Sequence, residues 1–95
     1  MDIMQNKITK DTIEKYYNVT KNALNIAKKS ISKNQKKKAN EIIKIVECYL
    51  EDSIYFKNKK DYVNSFGAIY YAHGWMDCGA RLKIFNVKDS DLFTI

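Results

Sequence analysis

Hydrophobic positions along the chain fall into three long stretches with helical spacing. In the first, at about residues 9–31, apolar and small residues recur every three or four positions and form one narrow stripe. The second, at about 33–57, repeats the pattern between Ala39 and Ser53, and the third covers about 61–85. No stretch alternates for long enough to indicate a β-strand. Three helices with short connections therefore predict an all-α, up-down-up three-helix bundle.

Polar residues near the expected helix ends support these bounds. Asp11 and Glu14 have the spacing of a capping box at the start of the first helix, and Thr9 is the alternative cap. Ser32 followed by Gln35 is the corresponding start signal of the second helix. Each helix is then roughly 35 Å long at 1.5 Å per residue.

The third helix differs from the others because apolar residues surround most of its circumference. Asp61 is its predicted N-cap, and Asn86 is expected to adopt the left-handed conformation that ends it. A helix on the surface of a bundle needs only one apolar stripe. The third helix must therefore be central, covered by the C-terminal tail, or in contact with another chain. We expect a single domain, with an N-terminal arm at 1–8 and a short tail at 88–95.

The chain has only three glycines, and all of them lie in the third helix. Each costs about 1 kcal/mol relative to alanine in a helix interior. Gly79 shares a face with Ala68 and Ala72, whereas Gly67 and Gly74 share another. We interpret these small residues as sites of close helix packing, and the alternative is a ligand or nucleotide pocket.

A polar stripe runs along the third helix. Tyr70, His73, Asp77 and Arg81 lie within about 80° of one another on a helical wheel. Asp77 can pair with Arg81 and with protonated His73, so a hydrogen-bonded network that fixes this helix is the favoured interpretation, with a binding patch as the alternative. One His and one Asp supply no nucleophile and no oxyanion site, so we expect no catalytic residue. His73 and Cys78 lie about 140° apart on the wheel, so the two side chains cannot bind the same metal ion. We therefore expect no metal site, and we also expect no cofactor.

Residues 66–87, FGAIYYAHGWMDCGARLKIFNV, resemble an archaeal family known as domain of unknown function 357. The family signature is a helix of the form aromatic-x-HGW-x-D-x-G-x-R-x-x-x-F. The residues that match it, and that we take as a candidate interaction motif, are His73, Gly74, Trp75, Asp77, Gly79, Arg81 and Phe85. Lys83 stands where a glycine is expected, which argues against a close approach at that position. The resemblance implies a small up-and-down helical bundle without an assigned activity.

The net charge of +6 is concentrated in one part of the chain. Residues 15–40 contain eight lysines and no acidic residue. The candidate anion-binding residues, called here the lysine-rich end, are Lys28, Lys29, Lys33, Lys36, Lys37 and Lys38. An up-down-up bundle brings Arg81, Lys83 and Lys88 to the same end. A bound phosphate backbone would reduce the repulsion between these positive charges. The alternative explanation is codon composition, because codons rich in A and T favour lysine.

Other features narrow the class of protein. No run approaches the roughly 18–20 apolar residues of a membrane span, and the first ten residues contain no secretory signal. Two cysteines do not make a disulfide framework. We therefore expect a cytoplasmic, non-catalytic protein-interaction or self-association module that uses its third helix. The alternative is an accessory protein that binds nucleic acid or anions through the lysine-rich end.

Overall fold

The structure, a computed structural model, describes residues 8–88 and 92–93. It contains three α-helices, α1 (Lys10–Lys28), α2 (Lys36–Asn58) and α3 (Tyr62–Arg81). Their packing confirms the predicted all-α three-helix bundle. Most of the predicted arm at 1–8 and much of the predicted tail at 88–95 lie outside the described residues.

The start and the end of α1 both differ from the prediction. Thr9 is the N-cap, and its Oγ1 accepts a hydrogen bond from the backbone N–H of Thr12 at 3.2 Å. The alternative cap is thus confirmed, and the capping box from Asp11 is wrong. The helix ends at Lys28, three residues earlier than predicted, because the chain then extends so that Ile31 forms a β-bridge with residue 85.

The start of α2 lies three residues later than predicted, at Lys36. Gln35 occupies the N-cap position without a side-chain capping bond, and its N–H donates to the carbonyl of Ser32 at 3.1 Å. Ser32 therefore belongs to a turn, in which Asn34 adopts a φ of 66°. After α2, Lys60 adopts a φ of 61° and redirects the chain into α3.

The end of α3 corrects the prediction for Asn86. The helix ends four residues earlier than predicted, and Lys83 is the residue with positive φ, at 62°. The N–H of Ile84 donates to the carbonyl of Gly79 at 2.9 Å, and that of Lys83 to Ala80 at 3.1 Å. These two bonds form a Schellman motif, which favours glycine at the position that Lys83 occupies. The glycine that the family resemblance leads us to expect here would thus serve the backbone conformation and not a close approach of another helix.

α3 is the central helix, which is one of the three alternatives that the sequence leaves open. It begins at the predicted N-cap, since Asp61 Oδ1 accepts from the backbone N–H of Asn64 at 3.2 Å. It packs against both α1 and α2, which contact each other much less. Buried residues from all three helices form the core, including Leu24, Val46 and Met76. Within the described residues, no helix is both long and apolar enough to cross a membrane.

The segment after α3 closes one end of the bundle. The N–H of Ser32 donates to the carbonyl of Ile84 at 3.0 Å, and the N–H of Asn86 donates to Ser30 at 2.6 Å. Between these two bonds, Phe85 enters the core and is completely buried. The described part of the tail adds Phe93 to the same core. The segment that follows α3 is therefore joined to the connection between α1 and α2.

Candidate functional site

The seven motif residues do not converge on one site. Gly79 and Phe85 are buried, whereas Gly74 and Arg81 are exposed. His73, Trp75 and Asp77 are partly buried. The motif thus divides into residues that hold the bundle together and residues that face outward.

His73 connects α3 to two other parts of the molecule. Its Nε2 lies 2.6 Å from the carbonyl oxygen of Leu92, and its Nδ1 lies 3.0 Å from Oγ1 of the buried Thr20 in α1. Because a carbonyl only accepts, Nε2 is the donor, and the neutral ring then accepts the Thr20 hydroxyl proton at Nδ1. Asp77 Oδ1 is 3.8 Å from Nε2. Within the polar stripe, His73 thus makes contacts that fix α3, whereas Tyr70 and Arg81 are exposed.

Gly79 is the position in α3 where close packing occurs. A Cβ atom at this position would lie 2.6 Å from Cε2 of Phe85 and 3.2 Å from Cδ1 of Ile42. The close neighbours are thus side chains, and they fill the space that the missing Cβ leaves.

Gly67 and Gly74 lie in a different environment. A Cβ atom built at either position meets no other atom within 4 Å, counted over the described residues and apart from the helix's own backbone. Close packing within the bundle therefore does not account for these two glycines. They lie on the outward side of α3.

The outward side of α3 is unusually poor in charge. Residues 62–76 contain no Asp, Glu, Lys or Arg, whereas every exposed position of α1 is polar or charged. The side chains exposed here include Val63, Tyr70 and Tyr71, at 72%, 57% and 55% of their full accessibility. We call the exposed surface formed by the following residues the tyrosine–glycine face: Val63, Gly67, Tyr70, Tyr71, Gly74 and Cys78.

Shallow grooves join this face to α2. Tyr71 packs edge-on against Tyr49 of α2, with 4.7 Å between the ring centroids. One groove beside this pair includes Phe56 and Gly67, and another includes Trp75. The predicted site residues omit Tyr71, Val63 and Gly67. Their signal in the sequence is the absence of charged residues from 62–76, which a search for individual motif residues does not detect.

The lysine-rich end lies around the connection between α1 and α2. All six of its lysines are exposed, and Lys28 Nζ lies 2.8 Å from Glu47 Oε2. The first turn of α2 contains three lysines and no acidic residue. The hydrogen bonds that Ser30 and Ser32 form with residues 84 and 86 bring Lys83 close to this end.

Cysteine and histidine do not form a cluster in the described part of the chain. Cys48 and Cys78 are free thiols at exposed positions. Within residues 8–88 and 92–93, no three His, Cys, Asp or Glu side chains are arranged to hold a metal ion.

The fold and these surfaces define a small helical bundle with one uncharged, exposed helix face. The sequence profile described as "Protein of unknown function (DUF357)" matches residues 15–85, so the chain belongs to this family. The resemblance seen in the motif of α3 is thereby confirmed. Comparisons with curated proteins and with solved structures found no match.

Proposed function

We propose that this protein is a non-catalytic protein-interaction module that binds its partner through the tyrosine–glycine face. The observation that carries the proposal is the exposed, uncharged surface of α3 over residues 62–76. Contiguous exposed apolar surface is characteristic of interaction sites. The cores of protein interfaces are also depleted in charged residues and enriched in tyrosine and tryptophan.

The exposed tyrosines provide enough surface to contribute to binding. Burying the exposed part of one such side chain removes on the order of 100 Å² from water, or about 2.5 kcal/mol before the costs of association. Tyr71 is held by Tyr49, with 4.7 Å between the ring centroids, so less side-chain freedom remains to be lost on binding.

The environment of His73 supports a non-catalytic role. Both ring nitrogens are within hydrogen-bonding distance of groups of the protein itself, Thr20 Oγ1 and the carbonyl of Leu92. A general base needs a free nitrogen within reach of a substrate proton. In this structure, the ring nitrogens join α1, α3 and the tail.

Site-specific photo-cross-linking in cells of the native organism tests the proposal. Tyr71 is replaced by a benzophenone amino acid, and the covalent products are identified by mass spectrometry. Asn22, exposed on the charged side of α1, receives the same replacement as the matched control. We expect a discrete protein adduct at Tyr71 and none at Asn22. The same products at both positions, or none at Tyr71, would contradict the proposal.

A second candidate function is the binding of phosphate-containing polymers at the lysine-rich end. It is favoured by the geometry of α2, whose N-terminus lacks a side-chain cap and any acidic residue in its first turn. The helix dipole places partial positive charge at the same N-terminus as Lys36, Lys37 and Lys38. Their mutual repulsion decreases when an anion binds.

Titration with a fluorescent single-stranded oligonucleotide tests this second candidate. Binding should weaken steeply with added salt, because phosphate contacts release counterions. The triple change of Lys36, Lys37 and Lys38 to Glu should abolish it. The control converts Lys10, Lys15 and Lys21, all exposed on α1, to Glu and so alters the net charge equally. Equal losses in both variants would indicate non-specific attraction by net charge.

A further inference from the structure

We infer that the tyrosine–glycine face binds a second copy of this chain, with the two α3 helices antiparallel and a two-fold axis between Tyr70 and Tyr71. This inference rests on the proposed function and specifies its partner. The residues of the face have mirrored spacing about that midpoint: 63, 67 and 70 on one side, and 78, 74 and 71 on the other. A two-fold interface requires such a self-complementary surface.

The mirrored positions carry matching residue types. In the antiparallel pair, Gly67 of one copy faces Gly74 of the other, and Val63 faces Cys78. Glycines allow two helix backbones to approach closely, and both are open to a neighbour here, since a Cβ at either meets no other atom within 4 Å. Near the axis, Tyr70 and Tyr71 of each copy extend over the glycines of the other. The tyrosines of each copy thus protrude at the level of the glycines of the other copy.

Charge distinguishes the antiparallel pair from a parallel one. A parallel pair would place Arg81 beside Arg81 and the two lysine-rich ends side by side. In the antiparallel pair, Arg81 is level with Lys60 of the other copy and one position from its Asp61, so this contact does not itself favour the antiparallel arrangement. The placement of the lysine-rich ends does favour it. The lysine-rich ends then lie at opposite ends of the assembly, and each copy is 42 Å long. The uncharged residues 62–76 form the middle of the contact.

The size of the surface fits a reversible dimer. At 1.5 Å per residue, residues 63–78 are about 24 Å long, and α3 with the adjacent α2 is about 20 Å wide, because one helix with its side chains is about 10–12 Å across. The product is on the order of 500 Å² per copy, below the roughly 800 Å² of a standard interface. Because this area is small for a stable interface, we expect a weak dimer that dissociates on dilution.

Cysteine cross-linking tests the register directly. Cys48→Ser leaves Cys78 as the only cysteine, and Val63→Cys adds its predicted neighbour across the interface. Because residues 63 and 78 are fifteen positions apart, like cysteines of the two copies lie about 22 Å apart in the antiparallel pair. A short bismaleimide should therefore join chains that carry both cysteines, and should not join chains that carry only one. A mixture of chains with only Cys78 and chains with only the new cysteine should yield the mixed dimer.

Sedimentation equilibrium gives an independent measurement. Gly67→Ala with Gly74→Ala inserts two methyl groups into the contact and should weaken dimerisation by about tenfold or more. The matched control, Asn22→Ala with Asn25→Ala on exposed α1 positions, should leave it unchanged. Circular dichroism would show that both variants remain folded.

Several results would overturn the inference. Efficient cross-linking through Cys78 alone would indicate a parallel pair or another register. A strict monomer at high micromolar concentration would exclude the second copy as the partner. In that case, an adduct at Tyr71 with a different protein would still support the proposed function, so the two proposals fail separately.

Discussion

Replacing a glycine of α3 by alanine should lower the free energy of unfolding at Gly79 and raise it at Gly67 and Gly74. At Gly79, a new Cβ atom would lie 2.6 Å from the Phe85 ring, whereas ordinary contacts begin near 3.4 Å, so the ring must move by 3.4 − 2.6 = 0.8 Å. Phe85 is completely buried, and its neighbours in the chain are hydrogen-bonded to residues 30 and 32. Ile42 also lies close, at 3.2 Å. The ring therefore has little room to move.

The magnitude follows from two opposing terms. Gly→Ala in a helix gains about 1 kcal/mol from helix propensity, whereas overpacking a core costs about 1–3 kcal/mol. For Gly79→Ala the overpacking cost should lie in the upper part of that range. After the gain from helix propensity is subtracted, the free energy of unfolding should fall by about 1–2 kcal/mol. Gly74→Ala has only the gain of about 1 kcal/mol, because its Cβ meets open space. The two variants should thus differ by roughly 2–3 kcal/mol.

Urea unfolding followed by circular dichroism measures this difference. Protein concentration should be kept low, because self-association would add its own stabilisation. Phe85→Leu combined with Gly79→Ala provides a double-mutant cycle, in which the smaller side chain should recover part of the loss. If Gly79→Ala and Gly74→Ala are equally stable, or if the cycle shows no coupling, the close contact between Gly79 and Phe85 is refuted.

Three further predictions concern the end of α3 and the tail. Lys83→Gly should raise the free energy of unfolding by about 1 kcal/mol, since glycine adopts positive φ without strain, and Lys83→Ala should give no such gain. Thr20→Val removes the hydroxyl that contacts His73 Nδ1 and should cost about 1–3 kcal/mol, whereas Thr20→Ser should cost less; chemical denaturation distinguishes the two. Phe93→Ala should cost about 3 kcal/mol and accelerate hydrogen exchange in the contact regions of the tail. Unchanged stability of this variant would show that the tail does not stabilise the bundle.

The helices could be predicted from the sequence because their periodicity is a local property. The ends of α1 and α3 could not, because long-range pairing determines them. Ile31 leaves the helical conformation to form a bridge with Phe85, 54 positions away in sequence. Lys83 takes positive φ because the chain must turn at that point to bury Phe85, although Asn86 has the better local preference for this conformation.

The candidate site was predictable to a similar extent. Because apolar residues surround most of the third helix, the sequence predicts that part of its surface must be covered by the rest of the chain or by a partner. Which side stays open depends on where the tail packs, and the sequence does not specify that Leu92 contacts His73. The lysine-rich end depends only on chain direction in an up-down-up bundle, so its assembly could be predicted.

The central position of α3 has a consequence for the order in which the molecule opens. Since α2 packs extensively on α3 and touches α1 little, α1 can detach without disturbing the α2–α3 hairpin. Native-state hydrogen exchange should then reveal a partial unfolding in which the amides of α1 exchange before those of α2 and α3. The surface proposed for dimerisation belongs entirely to the α2–α3 hairpin, so it would remain folded while α1 is unfolded.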